Sequence, residues 1–170
     1  MHDGKGNVLS DNDVTGSYIG VHLDSESNVS VVGASSTLIN QYGIYVSASH
    51  DVSVSGCTFF NSGIQGITLP VFAENSARFT VTGCSSREVN SGPYTDQTYW
   101  LFDGCSEFSA VGNSIAIEGG MGYCLALNSC SDGIVANNVF EFNVSGGGVL
   151  ETSSTATLVN NITVDKSNVS

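Results

Sequence analysis

The sequence predicts an all-β solenoid. Three observations carry that prediction: a short phrase that recurs along the chain, a second phrase at a near-constant distance before it, and the lack of any 3.6-residue apolar period. The first phrase alternates apolar and small polar residues, passes through Gly or Asn, and ends on an anchor residue. It occupies residues 29–34, 52–57, 79–84, 108–113, 133–138 and 156–161, with a weaker first copy at 7–12. The anchors are therefore 12, 34, 57, 84, 113, 138 and 161, spaced by 22, 23, 27, 29, 25 and 23 residues.

The second phrase ends on an apolar residue 11 positions before the anchor in five copies: Leu23, Val46, Phe102, Leu127 and Leu150. A sixth copy ends at Leu69, 15 before its anchor, as though residues had been inserted after it. Alternation with period 2 over three to five residues, bounded by Gly, Asn, Ser or Asp, reads as a short strand. No Asn-Gly type turns join the phrases as hairpins, and a period of 22–29 residues fits stacked coils.

Stacking converts the spacing into columns. Leu9, Val31, Val54, Val81, Ala110, Val135 and Leu158 form one inward column, and Val21/Leu23, Ile44/Val46, Trp100/Phe102 and Leu125/Leu127 form two more. Ser53, Ser55, Thr80, Thr82 and Ser109 alternate with them and face outward. The anchors Asn113, Asn138 and Asn161 are placed to hydrogen-bond from coil to coil and to tolerate a left-handed turn. Cys57 and Cys84 share the anchor column. Cys105 and Cys130 share one with Ser49, Ser76 and Ser153. Five cysteines without a CxxC pair read as buried thiols, although neighbouring coils bring such pairs within disulfide reach.

Composition narrows the function. The chain has 170 residues, of which 41% are hydrophobic and 12% charged, which excludes a disordered chain. Sixteen acidic and four basic residues give a net charge of −12, which argues against a nucleic-acid partner. No apolar run is long enough for a membrane-spanning helix, and residues 1–6 do not read as a secretory signal.

The repeat resembles the single-stranded right-handed parallel β-helix of the pectate-lyase-like superfamily, over residues 7 to about 165. The resemblance implies a single domain of about seven short coils over residues 1–170, and it is specific for fold rather than activity. Pectate lyases, polygalacturonases, epimerases and bacteriophage tailspikes share that fold. The polygalacturonase motifs Asn-Thr-Asp, Asp-Asp and Gly-His-Gly are absent. Uronate lyase chemistry needs a basic residue, and this chain offers Lys5, Lys166, Arg78 and Arg87 alone, with the lysines at the extremes.

The resemblance to tailspikes, together with the absent enzyme motifs and capping helix, points to a virion attachment component. It would be a homotrimeric spike or fibre segment that contacts other virion proteins and host-surface glycan, with no metal or other cofactor. The candidate ligand-binding residues lie in or beside two apparent insertions, residues 70–73 and 86–97. They are Arg78, Arg87, Glu88, Tyr94, Asp96 and Tyr99, because aromatic rings stack on sugars while Arg and carboxylates bond hydroxyls and acidic substituents. The same groups also suit a subunit contact, with Arg78 and Arg87 paired to Glu74 and Glu88.

The rival is a depolymerase. Ten residues before the anchor stand Asp24, Ser47, Asp103, Asn128 and Glu151, and Asp103 and Glu151, two coils apart, would serve as acid and base. His22 would face outward in a column with Tyr45 and Thr68, near Asp24. A third reading is a structural spacer without a ligand.

Overall fold

The computed structural model describes residues 6–37, 41–61, 69–89, 97–118, 122–142 and 146–166. Among the described residues six coils are built from three strands each and the last from two, and the strands of successive coils stack into three parallel sheets. Strands are numbered in chain order. The first sheet holds β1 (Asn7–Ser10), β4 (Ser27–Val32), β7 (His50–Ser55), β10 (Ala77–Thr82), β13 (Ser109–Val111), β16 (Gly133–Ala136) and β19 (Ala156–Val159). The second holds β2 (Asp13–Thr15), β5 (Ser35–Thr37), β8 (Thr58–Asn61), β11 (Ser85–Val89), β14 (Ser114–Glu118), β17 (Val139–Phe142) and β20 (Ile162–Asp165). The third holds β3 (Ile19–Asp24), β6 (Tyr42–Ser47), β9 (Leu69–Glu74), β12 (Gln97–Asp103), β15 (Gly122–Asn128) and β18 (Gly146–Thr152). This is the parallel β-helix expected from the repeat. The coil count is slightly lower than seven complete turns, because the third sheet has six strands among the described residues.

The recurring phrase is the first sheet running into its corner. Its register joins Leu9, Val31, Val54, Val81, Ala110, Val135 and Leu158 in one unbroken column, as the spacing requires. Val31, Val54, Val81 and Val135 have no exposed surface. Large and small residues offset one another inside. The Phe108 ring lies where a Cβ on Gly133, one coil on, would stand, only 2.0 Å from the ring's Cζ. Phe102 meets Phe79 and Phe108 edge to face, with centroids 5.3 and 5.5 Å apart.

Two corner ladders hold the coils in register. At the anchor corner the Asn113 backbone N–H donates to Asn138 Oδ1 (2.8 Å), and the Asn138 N–H to Asn161 Oδ1 (3.0 Å). The Asn113 and Asn138 amides also donate to the carbonyls of Val81 and Ala110 in the preceding coil. Cys84 and Cys57 continue this column, with the Cys84 N–H donating to Asn113 Oδ1 (2.9 Å). The left-handed conformation sits one residue before the anchor, at Asp11, Gly33, Gly56, Gly83, Gly112, Asn137 and Asn160. The anchor asparagines thus supply hydrogen bonds, and their predecessors supply the turn.

At the corner between the third and first sheets, Ser49, Ser76, Cys105, Cys130 and Ser154 occupy the equivalent place. The Ser49 and Ser76 hydroxyls donate to the carbonyls two residues back, at 2.7 and 2.8 Å, and the Cys130 N–H donates to Ser154 Oγ at 3.0 Å. Ser154, not the expected Ser153, closes that column. All five cysteines are free and buried.

The structure corrects two registers read from the sequence. Ala73, not Leu69, pairs with Val46 and Phe102, so the 11-residue rule holds in that coil after all. Residues 70–73 are therefore strand, and the extra chain length falls within 62–68, outside the described residues. In the last coil Glu151, not Leu150, pairs with Leu127. Eight residues separate Leu127 from Val135, but only seven separate Glu151 from Leu158, so the last corner is one residue shorter and the strand before it is displaced by one. Among the described residues no helix is long and apolar enough to cross a membrane.

Candidate functional site

The outer face of the third sheet brings together a set of chemically active side chains. Parallel register stacks His22, Tyr45 and Phe72 as consecutive rungs on β3, β6 and β9. The His22 and Tyr45 rings lie 4.7 Å apart at 8°, and the Tyr45 and Phe72 rings 5.1 Å apart at 3°. Tyr42 flanks the stack, tilted by 35° to Tyr45 and 33° to Phe72. Two residues further along each strand runs a polar column, in register: Asp24, Ser47, Glu74, Asp103, Asn128 and Thr152. Alternation places both columns outside, while Val46, Ala73 and Phe102 between them point inward with no exposed surface.

The two columns are joined by hydrogen bonds. The Tyr45 hydroxyl donates to the Glu74 carboxylate on the next coil. The Ser47 hydroxyl donates to Asp24 at 2.5 Å. The bond to Glu74, with burial and the carboxylate's charge adding to it, pushes the Tyr45 phenol up to about 12. Burial, followed by the charges of Tyr18 and Glu74, raises Tyr42 as well. The result is a half-buried aromatic band beside a row of carboxylates, hydroxyls and one amide, running along the solenoid axis.

Among the described residues, the expected ligand-binding candidates stand on different sheets. Arg78 lies at the corner between the third and first sheets and pairs with Asp51 on the preceding coil, Nη2 to Oδ2 at 2.9 Å, holding that carboxyl well below the usual range. Arg87 lies on the second sheet and pairs with Glu118. Arg78 thus takes Asp51 rather than the expected Glu74, while the side chain of Glu88, the partner expected for Arg87, lies outside the description. Tyr99 is buried in the core at 1% exposure. Glu88 pairs in backbone register with Asn61 and Ile117. Tyr94 and Asp96 lie outside the described residues.

Asp103 is on the third-sheet face, but Glu151 stands in the column of Leu127 rather than that of Asp103. Directly beside Asp103 in the adjacent coil is Glu74. The third rung above His22 and Tyr45 is Phe72 rather than Thr68. Sequence reasoning missed Tyr42, Phe72 and Glu74 as a group because the misplaced insertion assigned residues 70–73 to a loop. The signal that finds them is Ala73, which lies 11 residues before Cys84.

Comparison with known proteins supports the fold. A solved structure titled "putative glycosyl hydrolase from Parabacteroides merdae" matches with a TM-score of 0.66 and 11% identity, covering 93% of this chain and 83% of that one. No curated protein matches the chain. The NosD family, described as periplasmic copper-binding protein, matches residues 1–163, and the chain belongs to that family.

Proposed function

We propose that this chain is a polysaccharide-binding β-helix of the NosD family that works outside the cytoplasm and takes its ligand along the outer face of the third sheet. The observation that carries this reading is the His22–Tyr45–Phe72 stack with Tyr42 beside it, flanked in register by Asp24, Ser47, Glu74 and Asp103. An apolar band next to a row of hydrogen-bonding groups matches the amphipathic surface of a sugar chain, whose C–H patches pack on aromatics while its hydroxyls bond carboxylates. The rungs of both columns stand about 4.8 Å apart. The rings occupy the three coils of β3, β6 and β9, and the same column continues as Leu101, Ala126 and Leu150, so a linear polymer laid along the axis packs on aromatics over those coils and meets hydrogen-bonding groups along the polar column. The family description names the periplasm, and nothing in the geometry speaks for the virion setting or trimer expected from the tailspike resemblance.

The family description also names copper. The described residues do not fit a copper centre. No three His, Cys, Asp or Glu side chains converge among them, and Cys57, Cys84, Cys105 and Cys130 direct their thiols at backbone carbonyls. Met1, His2 and Met121 lie outside the described residues.

The test is affinity electrophoresis and calorimetry against a panel of neutral, basic and acidic polysaccharides. Tyr45→Ala and Phe72→Ala should each weaken binding about tenfold, equivalent to about 1.4 kcal/mol. Arg78→Ala and Arg87→Ala should leave it unchanged. Undiminished binding in the aromatic variants, or no binding to any glycan, overturns the reading.

A second reading has one observation in its favour. Glu74 and Asp103 are register neighbours, so their backbones stand about 4.8 Å apart. That approaches the carboxylate separation of about 5–5.5 Å used in retaining glycoside hydrolysis. Release of reducing ends from a bound glycan, abolished by Asp103→Asn, would establish it. Binding without turnover would eliminate it.

A further inference from the structure

We infer that the third-sheet face selects a glycan bearing free amino groups, a glucosamine polymer, over acidic or fully acetylated chains. The inference rests on the polysaccharide-binding reading and names the ligand class of that same face. Its basis is where the cations are. The chain has four Lys and Arg residues against sixteen carboxylates. Arg78 pairs with Asp51 at a corner, Arg87 with Glu118 on the second sheet, and Lys166 with Glu141 there. Lys5 lies outside the described residues. The outward columns of the third sheet carry Asp24, Glu74 and Asp103 but, among the described residues, no Lys or Arg.

The hydrogen bonds within the face point the same way. Asp24 and Glu74 each accept from a hydroxyl, those of Ser47 and Tyr45, and neither receives a cationic donor among the described residues. A uronate or sulfated chain would bring more negative charge to three carboxylates that, among the described residues, have no Lys or Arg beside them, His22 being the one group on the face able to take up a proton. An ammonium on each sugar would supply it, and would form a charge-assisted hydrogen bond as well. Each exposed ion pair is weak alone, so selectivity comes from several rungs engaged by one polymer. The aromatic band fixes where the chain lies, and the carboxylate row decides which chain is kept.

The experiment measures the affinity of the whole chain for three hexasaccharides at about pH 5.5, where carboxylates and amines are both charged. They are hexaglucosamine, hexa-N-acetylglucosamine and hexagalacturonate, with hexalysine as a sugar-free polycation. Hexaglucosamine should bind about tenfold tighter than the acetylated hexamer, and hexagalacturonate should not bind. The preference should vanish in an Asp24→Asn/Glu74→Gln/Asp103→Asn variant whose thermal unfolding is unchanged. Should that variant fail to fold, raising the salt of the wild-type assay from about 50 to 500 mM must erase the same preference. Tyr45→Ala should weaken both glucosamine hexamers and leave hexalysine unaffected.

Equal affinity for the two glucosamine hexamers overturns the selectivity and leaves the polysaccharide-binding reading standing. So does tighter binding of hexagalacturonate. Hexalysine binding as tightly as hexaglucosamine also overturns it, because net charge alone would then account for the attraction. Failure of every sugar to bind removes both readings.

Discussion

The hydroxyl of Tyr45 on β6 donates a hydrogen bond to the carboxylate of Glu74 on β9, one coil along. That bond requires the phenol proton. It raises the phenol from its ordinary value of 10.0 to about 12, so the neutral form is favoured in the folded state. The stability it contributes is complete below pH 10 and is lost as pH rises through about 12. A titration that resolves the individual tyrosine signals should show Tyr45 ionising near 12, and Glu74→Gln should bring it back toward 10. A Tyr45 titration indifferent to Glu74→Gln would show that the bond is not formed in solution.

Asn138 tests the anchor ladder. Its Oδ1 accepts from the Asn113 backbone N–H, and its amide donates to the Ala110 carbonyl, all in a buried corner. Asn138→Ala leaves that donor and that acceptor unmet, and should cost about 2–4 kcal/mol in chemical denaturation. Asn138→Cys should cost less than half as much. Cys84 and Cys57 already fill this column, where the Cys57 N–H meets Cys84 Sγ at 3.4 Å. Equal losses for Ala and Cys would show that a thiol cannot stand in for the anchor amide at this corner.

Gly133 and Gly56 separate two reasons for glycine. A Cβ on Gly133 would stand 2.0 Å from Phe108 Cζ, and a ring packed between β12 and β16 cannot yield. Gly133→Ala should destabilise by about 1–3 kcal/mol, and Phe108→Leu in the same chain should recover part of that loss. Gly56 has open space around it but a φ of 61°, so Gly56→Ala should cost only the left-handed strain of about 1–2 kcal/mol. The outcome that counts against this account is a Phe108→Leu background in which Gly133→Ala costs as much as before.

Thiol chemistry checks the packing. Burial pushes the Cys124 thiol up to about 12, so almost no thiolate exists at neutral pH. All five thiols should resist a disulfide reagent in the native protein and react together on unfolding. Cys105→Ser should be tolerated at below about 1.5 kcal/mol, because Ser49 and Ser76 make the same carbonyl bond in that column. Rapid native labelling of Cys105 or Cys130 would contradict the burial.

The first and third sheets were legible in the sequence because their inward positions are apolar in nearly every coil. Val31, Val54, Val81 and Val135 repeat one environment, and so do Val46, Phe102 and Leu127. The second sheet was not read as a separate strand. Its inward column runs Ser36, Phe59, Ser86, Ile115, so two of these four coils lack the apolar residue that marks a strand. Ser86 is tolerated there because it accepts a hydrogen bond of 2.9 Å from Trp100 Nε1, a partner 14 residues away that local pattern cannot reveal.

What the sequence determined by itself is the coil: its period, its inward columns and its stacked corners. These follow from alternation within a few residues, repeated where each coil meets the same neighbours. What only the tertiary structure decided is which outward side chains stand together. That depends on the number of residues spent at each corner, and a change of one displaces a whole strand past its neighbour. The shorter last corner moved Glu151 out of Asp103's column, while the longer link before β9 brought Phe72 and Glu74 into line with Tyr45 and Asp103. Hydrogen bonds between adjacent strands fix that alignment, and their partners lie one full coil away along the chain.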